Sequence, residues 1–264
     1  MKSKLLLLLF VPCVLFSQSK LGKAKESLSK TSSSSGNSST NSSSSSDDDD
    51  DDFDFFSMLF EDIFFEIAYH STLGIAFGGA NYTEMNPYPY YNNHGEFTND
   101  FKDANKRSSI KIGTNYLINR INALEINTVL KPIPIAGLEV SYLNFAENTL
   151  LNSESLNITS INANYYRVRE NHFSLWWGIG GTYVGKEVDT WGFAYNLGVD
   201  IYPVKPISLH LGWRQSFINN NTVDVFKSQV KYHIKRAALY TGYHNYKLGS
   251  ETISGLVLGI EYSF

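Results

Sequence analysis

The chain predicts an all-β fold, a single-chain antiparallel transmembrane β-barrel of about ten strands. Three observations carry this. Ten runs after residue 108 alternate apolar side chains with small or polar ones, the period-two signature of a strand with one apolar face. The final run, Gly255 to Phe264, sets Leu256, Leu258, Ile260, Tyr262 and Phe264 in one row. Gly255, Val257, Gly259, Glu261 and Ser263 fill the other. Aromatic residues make up 14% of the chain, a surplus that girdles at two membrane interfaces would absorb. Mean hydropathy is only -0.22, and no stretch after residue 17 is long and apolar enough for a spanning helix. That excludes a helical membrane protein and leaves a barrel. A net charge of -4 gives no basic surplus for nucleic acid.

The N-terminal elements precede the barrel. Residues 1–17 read as a signal peptide, with Lys2 and Lys4, an apolar core from Leu5 to Phe16, and small Ser17 before cleavage. A lipoprotein anchor at Cys13 is the competing reading, but Phe10-Val11-Pro12 departs from that pattern. Cys13 is the one cysteine, so the mature chain carries no disulfide. Residues 18–52 read as a disordered tether, first Ser-rich and then the acidic run Asp47 to Asp52. The acidic run reads as a solvated spacer. A contact for a divalent cation or cationic partner is the sharper reading, without the glycine turn of a calcium loop.

Residues 53–70 read as an amphipathic helix. Phe56, Leu59, Phe60, Ile63, Phe64 and Ile67 recur at spacings of three and four. Asp54, Glu61, Asp62 and Glu66 occupy much of the rest. A first strand with an irregular lead-in is the alternative. Residues 71–107 are a lead-in and long loop, rich in Asn, Tyr and Pro. Twelve strands result if Ser71 to Gly79 and a partner near Tyr90 to Thr98 join the wall.

From residue 108 to 264 the alternation is regular. In one run Trp191, Phe193, Tyr195, Leu197, Val199 and Ile201 oppose Gly192, Ala194, Asn196, Gly198 and Asp200. The next sets Ile207, Leu209, Leu211 and Trp213 against Ser208, His210, Gly212 and Arg214. A soluble barrel would turn the apolar row inward. The signal peptide and the aromatic terminus favour lipid outside and a polar lumen. With the C-terminus on the inner side, short turns fall there and longer, more polar connections fall outside. Trp191, Trp213 and Tyr243 then form the outer aromatic girdle, and Phe173, Tyr232, Tyr262 and Phe264 the inner one.

The aromatic end at Tyr262 and Phe264 resembles the C-terminal strand of bacterial outer-membrane β-barrel proteins. That resemblance implies recognition of these two residues by the barrel assembly machinery, and an outer membrane of a Gram-negative bacterium as the location. The turn Tyr202-Pro203-Val204-Lys205-Pro206 and its flanks resemble uncharacterised outer-membrane β-barrel proteins of Bacteroidota, over about residues 108–264. The resemblance transfers no catalytic residues.

Lys111, Glu139, Asp200, Arg214, Lys227, Lys231 and Glu261 fall on inward rows, with Glu125, His210, His233 and His244. Charges inside a membrane must pair or be hydrated, so they predict a charge network filling a narrow lumen. Hairpin register puts His210 opposite Gln229, His244 opposite Lys227 and His233 near Ala238, too far apart for one metal ion. No cofactor or metal signature appears. Gly180 to Lys186 nearly spells a phosphate-binding loop, but Glu187 replaces the required hydroxyl and no helix follows.

Three functions fit these residues. The first is a non-enzymatic structural or accessory barrel, whose tether reaches a periplasmic or outer-membrane protein partner. The second is a narrow small-solute pore. The third is a hydrolase at the outer rim, with His244, Asp189 and Glu187 placed near that rim by the topology.

Overall fold

The computed structural model describes residues 19–30, 83–99, 106–148 and 153–264. The expected signal peptide, the amphipathic helix over residues 53–70, the acidic run and the extra strand over 71–79 lie outside the described residues.

Helix α1 spans Lys20–Ser29. Strands β1 (Glu84–Met85) and β2 (Phe97–Thr98) pair with each other, and Met85 also bridges Lys106. Ten antiparallel strands follow: β3 (Ser109–Ile118), β4 (Asn122–Ile133), β5 (Ala136–Asn148), β6 (Ser153–Arg169), β7 (Phe173–Val184), β8 (Thr190–Val204), β9 (Ile207–Ile218), β10 (Asn221–Ile234), β11 (Ala237–Leu248) and β12 (Glu251–Ser263). Each pairs with its sequence neighbours, and β12 pairs with β3, Tyr262 opposite Ile112 and Leu256 opposite Ile118. That pairing closes the barrel at ten strands and removes every edge, as spanning a membrane requires. The twelve-strand alternative is overturned, because the segment near Tyr90 to Thr98 joins the two-stranded β1–β2 ribbon and not the wall.

Two ends can be told apart. The near end carries the start of β3 and the end of β12, with turns at residues 134–135, 170–172, 205–206 and 235–236. The far end carries the other connections.

The outer face is apolar over most of its area. Ile112, Tyr116, Ile126, Phe193, Leu239, Leu256, Leu258 and Ile260 are exposed there. The inner face does not keep the single polar row expected of it. Near the near end it is polar, but toward the far end it turns apolar. Along β10, His233, Lys231, Gln229 and Lys227 give way to Val225 and Val223. Along β3, Lys111 and Asn115 give way to Leu117. Leu117, Phe145, Leu156, Val223, Val225 and Leu248 belong to one buried apolar cluster.

Helix α1 explains that cluster. Leu21, Ala24 and Leu28 lie on one helical face, at spacings of three and four. All three are fully buried in the cluster. Residues 20–29 are therefore folded, contrary to the expectation of disorder across 18–52. Burying a leucine side chain fully contributes about 1.5–3 kcal/mol, which the Ser-rich composition after Lys30 concealed.

Candidate functional site

The lumen is built in three storeys, and each draws on different chemistry.

The far storey is a socket shaped to a helix. Ser19 caps α1, its side chain accepting from Gly22 N at 2.9 Å. Glu147 at the end of β5 accepts from the amides of Leu21 at 2.8 Å and Lys20 at 3.3 Å. A carboxylate there satisfies orphan amides and suits the helix dipole. At the other end Asn219 and Asn221 donate to the carbonyls of Leu28 and Ser27, at 2.6 and 2.7 Å. Gly249, at φ +62°, turns so tightly that a Cβ would collide with Ser27 Oγ. Buried Lys25 pairs with Glu154 and, at 3.2 Å, with Glu187. Burial alone would lower the pKa of Lys25, but the two carboxylates outweigh it and raise it.

The middle storey is polar and holds a cavity of about 90 Å³, room for a few waters. All seven charges expected inside line it: Lys111, Glu139, Asp200, Arg214, Lys227, Lys231 and Glu261. Lys231 pairs with Glu261 at 2.8 Å, and His210 with Asp200 at 2.8 Å. Lys227 pairs with Glu125, which also accepts from Asn115 at 3.1 Å. Glu139 is held by amides, accepting from Asn127 and Asn164 at 3.1 Å and Asn196 at 3.4 Å. Arg214 reaches across the lumen to Ser141 Oγ at 3.0 Å.

The near storey is filled by residues 83–99. Glu96 lies between Lys131, 2.6 Å away, and Lys111, 2.9 Å away. Lys131 also stands 4.0 Å from the centre of the Tyr166 ring and 5.0 Å from that of Phe97, a cation–π arrangement. Burial would raise the pKa of Glu96, but Lys111 and Lys131 dominate and lower it. Tyr90 donates to the carbonyls of Ile207 and, at 3.2 Å, Val204. Burial pushes its hydroxyl up to about 12. Gly95 packs flat on Tyr202, where a Cβ would collide with the ring.

Glu96 and Lys131 are the functional residues that sequence reasoning misses. Beside Pro132 and Pro134, Lys131 reads as a turn residue, whereas β4 continues to Ile133. Glu96 sits in a loop with no periodicity, where nothing signals a charge aimed inward.

The histidines fall in the expected register. His210 faces Gln229, His244 faces Lys227 and His233 faces Ala238. His244 is not at the rim, however. It is fully buried in the lumen, with Gln229 Nε2 2.8 Å from its Nε2 and Tyr246 hydroxyl 2.8 Å from its Nδ1. Asp189 instead accepts from Tyr183, and Glu187 pairs with Lys25. The three rim residues therefore do not converge.

Of the expected girdle, Trp191, Tyr243, Tyr232, Tyr262 and Phe264 present exposed rings outside the wall. Phe173 is half-buried, and Tyr243 lies midway along β11 rather than at its end. Trp213 departs from expectation: its row faces outward, yet it is buried with Tyr195 and Leu197.

No family model matches the chain, and no curated protein matches it significantly. Among solved structures it is similar to the KdgM porin, at 13% identity over 59% of this chain and 99% of that one, with a TM-score of 0.37. The Yersinia pestis outer membrane protein Ail in a phospholipid bilayer nanodisc is similar at 13% identity, over 60% and 98%, with a TM-score of 0.34. The N-terminal β-barrel domain of Pseudomonas aeruginosa OprF is similar at 11% identity, over 59% and 97%, with a TM-score of 0.31. At such scores the likeness carries no argument. The barrel assignment rests on the closed register and on the apolar exterior.

Proposed function

We propose that this chain is an outer-membrane β-barrel protein with a non-enzymatic structural or accessory role. In this reading the near end, with both strand termini, faces the periplasm. The far mouth faces outside. Tyr262 and Phe264 serve as the assembly signal, and the exposed apolar rows contact lipid. The observation that supports a closed, non-conducting barrel is the filling of both mouths, α1 above and residues 83–99 below. About 90 Å³ remains between them, whereas aqueous channels belong to far wider barrels of about 16 strands. The socket is also specific, because it caps both ends of the helix and pairs its buried lysine.

Lys30 leaves α1 at the far mouth, so a tether beginning there starts outside, not in the periplasm. An accessory partner reached by it belongs to the cell surface or the outer membrane.

The test is extraction of the tagged full chain in mild detergent, followed by mass and composition of the particle. A stoichiometric second chain is the expected result. A barrel-plus-micelle particle with nothing else would overturn the accessory role. The polar middle storey favours a narrow solute pore as the second reading. Stepwise conductance from the full chain in planar bilayers, altered by Lys227→Ala, would establish that reading instead.

A further inference from the structure

Two charges inside the lumen lack a counter-charge among the described residues, and they are of opposite sign. Arg214 is only 6% exposed, yet its Nη1 donates to a neutral hydroxyl, that of Ser141. Its Nε is also buried and donates to no described residue. Glu139 is held by the side-chain amides of Asn127, Asn164 and Asn196, and it pairs with no basic side chain among the described residues. The other five charges expected inside all pair with a group of opposite sign or with a histidine. Arg214 and Glu139 both line the cavity of about 90 Å³. An enclosed charge is costly unless it is paired, and amides and a hydroxyl neutralise neither.

The strand register builds more of the same site. Asn164, Gly178, Asn196 and Arg214 oppose one another in turn across β6 to β9. A carboxylate only accepts, so Asn164 and Asn196 turn their Nδ2 toward Glu139 and their oxygens away from it. Those oxygens converge over Gly178, where a Cβ would collide with both. Both are buried and accept from no described residue. One lateral row thus sets two acceptor oxygens and a carboxylate beside the free edge of a guanidinium.

We propose that this cavity binds a small zwitterion, an α-amino acid of the smallest size. Its carboxylate lies on the Nε edge of Arg214, which Ser141 leaves free. A guanidinium edge suits a planar carboxylate. Its ammonium lies on Glu139 and the side-chain oxygen of Asn196, with three donors to share among acceptors. An anion alone would leave Glu139 unbalanced, a cation alone would leave Arg214, and a neutral solute would leave both. The volume of about 90 Å³ is that of about three waters in the liquid, which suits glycine and excludes large side chains. The site lies inside the wall, so it does not depend on the orientation or the partner proposed above.

The test refolds the full chain from urea into detergent in the presence of radiolabelled glycine, followed by equilibrium dialysis against millimolar glycine. Refolding with the ligand present removes any barrier to entry through the filled mouths. Folding of each sample is read from heat-modifiable migration on a gel. Saturable binding of one glycine per folded chain is expected. Acetate and methylammonium, which carry the two charges separately, should each displace little of it at equal concentration. Glu139→Gln and Arg214→Gln should each weaken binding by about tenfold or more, the effect of losing a hydrogen bond to a charged group. Should either variant fail to fold, the competition on the unmodified chain decides. No saturable glycine binding by the folded chain would overturn the proposal. Displacement by acetate alone or methylammonium alone, as effective as by unlabelled glycine, would also overturn it and leave a simple ion site. Unchanged binding in both folded variants would overturn the assigned residues and the site with them.

Discussion

The two mouths of the barrel are closed by opposite means. At the far end a regular helix buries Leu21, Ala24 and Leu28 against an apolar floor, with buried Lys25 paired to carboxylates at the rim. At the near end an irregular segment with only two residue pairs in its ribbon inserts Glu96 between two lysines. The far closure is held by a nonpolar face and is indifferent to pH across the neutral range. The near closure is held by buried charge and depends on ionisation. The difference teaches where each should fail.

The largest effect is expected at Glu96. Glu96→Ala leaves Lys111 and Lys131 facing each other without a counter-charge. Breaking a buried pair typically costs about 3–5 kcal/mol. Urea unfolding in detergent should show that loss, with protease cutting within residues 83–99 in the variant and not in the parent. Glu96→Ala stability within about 1 kcal/mol of the parent would mean the near mouth is held by its aromatics. Next comes Leu28→Ala, where a core truncation costs about 2–5 kcal/mol. Hydrogen exchange across residues 20–29 should quicken while the near segment stays protected. If both quicken together, the two closures are coupled and do not fail separately.

Acid should separate them without mutation. The pKa of Glu96 is lowered in the fold from the ordinary 4.5. Its contribution is present above pH 4.5 and is lost as pH falls through the folded value. Lys25 is raised from 10.5, so its own titration removes its contribution only as pH rises through the folded value, and what holds α1 in acid is its buried apolar face. Acidification should therefore open residues 83–99 to protease first and leave α1 protected. Release of α1 ahead of the near segment would reverse the assignment.

The same contrast governs what can be read from the sequence. The wall is legible because a strand pattern of period two repeats ten times, and hairpin counting then places His210, His233 and His244 in register. The seven lumen charges are legible as members of inward rows. The socket is not, because Val223 and Val225 look like ordinary barrel residues until α1 supplies their partner. The helix itself is masked by the Ser-rich stretch that follows it. Glu96 is invisible because an irregular loop has no period from which to infer which way a side chain points. Trp213 is misplaced for a related reason: alternation gives the face of the wall, but not what lies on it.

The smallest effect is expected at the rim of the far socket. Glu154→Gln removes one of two carboxylates beside Lys25, and Glu187, which stays, is largely exposed. Partly exposed ion pairs contribute roughly 0.2–1 kcal/mol and less at high salt. The variant should therefore shift hydrogen exchange of α1 only slightly at low salt and hardly at all at about 1 M, where screening acts within about 3 Å. Leu28→Ala should lose its protection equally at both salt concentrations. A Glu154→Gln effect as large as that of Leu28→Ala, and insensitive to salt, would show that α1 depends on the charge pair of buried Lys25 as much as on its apolar face. The far mouth would then resemble the near one in its energetics as well as in its closure.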